Sequence, residues 1–130
     1  MSQVFTFSYS DANGYGDLTG GGVLINTSVS GAHACWFSYD PATRQLWLAA
    51  DNGTTWSSLS AGSSGALMNS QCTIYGQGLS AVGSGNNLTV TVPVFFNRRF
   101  LGSRNIYMYT QDKGNLASGY QVRGTWTVGK

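Results

Sequence analysis

An all-β fold is predicted, an antiparallel β-sandwich of seven to nine strands, and three observations carry that prediction. Charged residues make up 9% of the chain, far below the roughly 25% of an average soluble protein. There is no Glu and little Lys, so strong helix formers are scarce, while 18 Gly and many Ser, Thr and Asn fill the chain. Apolar residues recur with period two in short runs, and turn signals interrupt them about every 8–12 positions.

In "VFTFSYS", Phe5, Phe7 and Tyr9 face one way and Thr6 and Ser8 the other. "DANG" turns the chain into "LTGGGVLINT", where Gly20-Gly21-Gly22 predicts a bulge or a close backbone approach. "ACWFSYD" and "QLWLAAD" form a hairpin around "PATR", ended by the Asp51-Asn52-Gly53 turn. Residues 57–69, polar and glycine-rich, read as loop, and "QCTIY" resumes as a strand. After "GQGLSAVGSGN" comes the best strand, "NLTVTVPVFF", in which Leu88, Val90, Val92, Val94 and Phe96 share a face. Pro93, on the other parity, marks an edge or a bulge. "RNIYMYTQD" and "YQVRGTWTV" complete the set, joined by "KGNLASG". No segment has the apolar period of an amphipathic helix, and no repeat recurs at fixed spacing. The expected core holds Phe5, Phe7, Ile25, Phe37, Leu48, Ile74, Val90, Val92, Ile106, Met108, Val122 and Trp126.

The length, 130 residues, suits a single domain spanning 1–130. Net charge is +2 with no long basic run, which argues against nucleic acid as a partner. No apolar run approaches the roughly 20 residues of a membrane helix, so membrane insertion is not expected. No signal peptide precedes "VFTFSYS", so the chain reads as an excised or cytoplasmically expressed domain, and a longer secreted parent is expected. Two cysteines, Cys35 and Cys72, are too few for a structural zinc site. One disulfide is the simplest reading, two free buried thiols the alternative. Closing the 37-residue separation would stabilise the fold by roughly 3–4 kcal/mol and imply an oxidising setting.

The opening "FSYSDANGYGDL…VLI" resembles that of bacterial immunoglobulin-like modules. "NSQCTI…GSGNNLTVTV…NIYMYTQDKGN…GY…GTWTV" is similar to the second half of an uncharacterised bacterial extracellular domain of that kind, repeated in large secreted or surface proteins. The resemblance covers nearly the whole chain, and its motifs are structural. It implies an immunoglobulin-like sandwich, a secreted or cell-surface location, and a non-catalytic structural or adhesive role, with neighbouring domains of a parent protein as partners. It departs from the antibody pattern, whose disulfide joins the second and sixth strands. Here Cys35 falls on the third expected strand and Cys72 on the fifth or sixth.

Catalysis has little to work with. His33 is the only histidine, it sits among Gly31, Ala32 and Ala34, and it reads as a surface or turn residue. A Ser-His-Asp set is compatible with the composition, but no G-x-S-x-G elbow marks one. All five Asp fall in turns, where they bend and cap the backbone. No catalytic residue, cofactor or metal is therefore expected. "DANGYGD" matches a calcium loop at Asp11, Asn13, Gly16 and Asp17, but Tyr15 spoils one ligand position and Gly22 replaces the closing acid. An Asx-type turn with Asn13 or Gly14 at positive φ is the better reading. Asp11, Asp17 and Asp40 are expected at one pole with Arg44, Arg98, Arg99 and Arg104, and Asp51 and Asp112 at the other. Trp36 and Trp47 fall together on the outer face of the hairpin, and Tyr107 and Tyr109 likewise point away from Ile106 and Met108. Exposed, they would form a platform for surface glycans. That platform is the alternative to a structural reading, in which residues 57–69 or a neighbouring domain cover the tryptophans.

Overall fold

Eleven strands and no helix make up the described residues of the computed structural model, 2–10, 14, 18–26, 33–97, 102–112 and 121–128. In chain order they are β1 (Ser2–Ser10), β2 (Leu18–Asn26), β3 (Cys35–Asp40), β4 (Gln45–Ala49), β5 (Trp56–Ser60), β6 (Ala66–Met68), β7 (Cys72–Tyr75), β8 (Ser80–Ser84), β9 (Asn87–Phe96), β10 (Gly102–Asp112) and β11 (Gln121–Val128). All pairing is antiparallel. One sheet has five strands in the order β1-β9-β7-β6, with β8 also on β9; the other has six in the order β11-β10-β2-β3-β4-β5. The two sheets share one core, and the fold is sandwich-like.

The period-two pattern becomes burial directly. Along β9 every second residue, from Leu88 to Phe96, is buried, and along β3 Cys35, Phe37 and Tyr39 are buried. Phe7 of the five-stranded sheet meets the edge of Phe37 of the six-stranded sheet at a centroid distance of 5.9 Å, a favoured aromatic geometry. Of the expected core, Phe7, Ile25, Phe37, Leu48, Ile74, Val90 and Val92 are buried, and Phe5, Ile106 and Met108 pack against them half-buried. The side chains of Val122 and Trp126 lie outside the described residues. On the backbone, a register shift between Ile106 and Tyr107 sets Val122 opposite Tyr107 and Trp126 opposite Arg104, so one parity does not hold along β11.

The glycine run in β2 is a close approach. A Cβ at Gly21 would stand 2.8 Å from the ring of Tyr9, whose hydroxyl donates to the carbonyl of Gly22 at 3.3 Å. Pro93 marks no edge, because β9 lies between β1 and the β7–β8 side. It falls where β7, paired as far as Val94, gives way to β8, paired from Thr91. No ladder bond is required of it on that side.

The strand count exceeds the expected seven to nine. Residues 57–69 contain most of β5 and all of β6, and "GQGLSAVGSGN" contains β8. The polar composition that suggested loop is the exposed face of edge pieces.

The strand directions also correct the expected poles. Asp40 ends β3, whereas Arg104 stands next to Asn105, which pairs with Asn26 at the end of β2 where β3 begins. Asp112, opposite Leu18, lies at the Asp40 end instead. Each antiparallel strand reverses direction, so the connection after β9 leaves from the opposite pole. Arg104 therefore shares its pole with Asp51. Asp11, Asp17, Arg98 and Arg99 lie outside the described residues. Gly14 has φ +97°, as the turn reading requires.

Candidate functional site

Two surfaces carry the residues singled out by sequence. The first is the outer face of β3, β4 and β5. Phe37 pairs with Leu48 and Tyr39 with Leu46, toward the core, so Ser38, Trp47 and Ser58 form one outward row across the three strands. Trp47, 38% exposed, and Ser58 are its exposed members, and Ser38 is half-buried. Trp36 does not join Trp47 as a pair. Its ring meets the edge of Trp56, with centroids 4.6 Å apart and planes at 68°. Ala49 stands between their strands, fully buried and paired with Trp56. A side chain larger than alanine there would force the indoles apart.

Tyr107 is buried, contrary to the platform expectation. It pairs with Leu24, which pairs in turn with Trp36, and these side chains form a small apolar cluster with Ala34. The hydroxyl of Tyr107 accepts from Asn105 Nδ2 at 3.2 Å. Tyr109, opposite Gly22, is half-buried. Of the four aromatics, only Trp47 offers an open face. Sequence reasoning missed Trp56 because it stands just before residues 57–69, which read as loop, so no strand was expected to begin there. The available signal was the Asp51-Asn52-Gly53 turn, which returns the chain along β4: Asn52 Oδ1 accepts from the amides of Thr54 and Thr55 at 2.8 and 3.1 Å, and Ala50 N donates to Thr55 O at 2.8 Å.

The second surface is the pole of the disulfide. Cys35 and Cys72 are bonded, their Cα atoms 5.7 Å apart, and neither cysteine is exposed. The bond ties β3 of one sheet to β7 of the other. Beside it, Asn69 satisfies both ends of its amide. Nδ2 donates to the carbonyls of Ala34 and Ala49, and Oδ1 accepts from the amides of Gln71 and Cys72, all at 2.9 Å. Asp51 Oδ1 accepts from Ser70 N at 3.0 Å, and Asn97 Nδ2 donates to Ser70 O at 2.9 Å. His33 is an exposed turn residue with φ 50°, its amide donating to Asp51 O at 3.0 Å.

At the opposite end, among the described residues, the hydroxyl of Tyr39 is perturbed. Burial pushes that hydroxyl above its ordinary tyrosine value. Arg44, through its charge and a hydrogen bond, pulls it down, and Asp40 adds to the rise. Arg44 closes the β3–β4 turn with φ 58°, its amide donating to Asp40 O at 2.8 Å. Among the described residues, no three of His, Cys, Asp and Glu gather as metal ligands would, and no helix is long and apolar enough to cross a membrane. Compared with family models, curated proteins and solved structures, the chain matches none.

Proposed function

We propose that the chain is a non-catalytic module of a larger secreted or surface protein, immunoglobulin-like in topology, with a structural or adhesive role. The observation that supports it most is the Cys35–Cys72 bond, buried at the junction of two antiparallel sheets. A structural disulfide belongs to an oxidising compartment. A composition with no Glu and one His supports the non-catalytic part. Neighbouring domains of the parent are its partners on this reading.

A second reading, carbohydrate binding, is favoured by one arrangement. Trp47 is exposed between two serines, Ser38 and Ser58, on the outer face of β3, β4 and β5. An indole face stacks on a pyranose ring, and flanking hydroxyls serve its polar rim. A glycan array with tryptophan fluorescence titrated by soluble polysaccharides separates the two. The structural reading expects fluorescence that does not change with polysaccharide. A saturable change, lost in Trp47→Ala while melting is preserved, selects the second.

A further inference from the structure

Five large apolar side chains stand exposed among the described residues, and four of them share one surface. The core-facing set of the five-stranded sheet includes Phe7, Ile74 and Val92. The alternate residues, among them Val4 on β1 and Tyr75 on β7, point outward. Val82 pairs with Thr89, and Met68 with Thr73, on the same outer side. Val4, Met68, Tyr75 and Val82 are exposed by 58%, 72%, 45% and 64%. No strand of this sheet carries an Asp, Lys or Arg, and residues 52–97 contain no charge at all. A charge-free surface with clustered apolar side chains is the usual mark of a contact face.

We propose that a second copy of this chain docks on this face, the two copies meeting about a two-fold axis. Such a contact sets one patch against itself, so any net charge would repel its own image. This patch has none. Its polar groups include the hydroxyls of Thr6, Ser8, Thr89 and Thr91, each both donor and acceptor, so they pair with their own copies without a complementary set. Ser8 Oγ and Thr89 Oγ1 already lie 3.4 Å apart within one chain. A partner recognised by charge would find nothing here to hold. The size is also adequate. Its five strands hold 31 residues, which at about 3.4 Å by about 4.8 Å each give roughly 500 Å² in projection. Side-chain relief raises the accessible area toward the about 800 Å² per partner of a standard interface.

The proposal is independent of the functional readings above, since Trp47 lies on the other sheet. Sedimentation equilibrium from micromolar to millimolar concentration tests it. The mass should rise from 13.8 kDa to twice that value and stop there. Val82→Lys and Met68→Lys, each introduced on both sides of the axis, should each raise the dissociation constant at least about tenfold. Their melting temperatures when dilute should match the parent's, because both side chains are exposed. Trp47→Ala should leave the dimer intact. A chain that stays at 13.8 kDa throughout, open-ended growth beyond two copies, or a dimer indifferent to both lysine substitutions would each overturn the proposal.

Discussion

At Gly21 the absent side chain is the structural feature. Its neighbours in β2, Val23 and Ile25, take ordinary core positions, but the Tyr9 ring fills the space above Gly21 and would meet an added Cβ at 2.8 Å. Gly21→Ala should therefore cost about 1–3 kcal/mol in denaturant unfolding, as overpacking does. Most of that loss should persist in a Tyr9→Phe background, because the ring and not the hydroxyl occupies the space. A neutral Gly21→Ala would refute the close approach. Tyr39 gives a second prediction at this scale. Its folded pKa is raised, chiefly by burial, so folded chains keep the proton at a pH where unfolded chains release it. The stability linked to this group is complete below about pH 10, the ordinary tyrosine value, and falls as pH rises through the folded value. The 295-nm titration difference between parent and Tyr39→Phe should show one tyrosine ionising above the normal range. A difference curve centred at or below it would contradict the burial argument.

Among elements, the short β6–β7 turn depends most on a single side chain. Asn69 joins the entry to β3, the exit of β4 and the start of β7 through four hydrogen bonds. Asn69→Ala strands two carbonyls and two amides in a half-buried place and should destabilise by about 2–4 kcal/mol, given about 1–3 per unsatisfied group and incomplete additivity. Amide exchange at Gln71 and Cys72 should accelerate before that of Val90 or Val92. Unchanged exchange there would mean that water replaces the asparagine. None of this was legible in "MNSQC", because the role of Asn69 is set by carbonyls 20 and 35 residues away. The eight strands read from sequence all exist, since each alternates strongly or contains a long β-branched and aromatic run. β5, β6 and β8 escaped for one physical reason. They are short, and "WSSLS" and "SAVGS" bury at most part of one face, so their burial pattern barely differs from that of a loop. That loss propagated to the site. Residues 57–69, read as possible cover for the tryptophans, hold most of the strand that Trp56 opens, and Trp36 is partnered by Trp56 rather than Trp47.

For the whole molecule, the question is whether the two sheets need the bond that joins them. The core spans both sheets with Phe7, Phe37, Ile25 and Val92, and Asn69 and Asp51 brace the disulfide pole independently of sulfur. The native state should therefore survive reduction, and most of the cost should fall on the unfolded chain, which gains freedom when a 37-residue separation is released. That freedom corresponds to roughly 3–4 kcal/mol. For a chain of this size, such a loss lowers the melting temperature by about 10–15 °C. Cys35→Ala with Cys72→Ala should reproduce the drop, increased somewhat by the volume lost at two fully buried positions. Two further readouts separate this account from one in which the bond holds the native sheets together. The far-UV spectrum at 25 °C should remain that of the oxidised protein, and the denaturant m-value should increase, because the released chain exposes more surface on unfolding. A reduced protein that loses its β spectrum at 25 °C would show that the shared core is insufficient by itself. An unchanged m-value with a lowered midpoint would place the effect of the disulfide in the folded state instead.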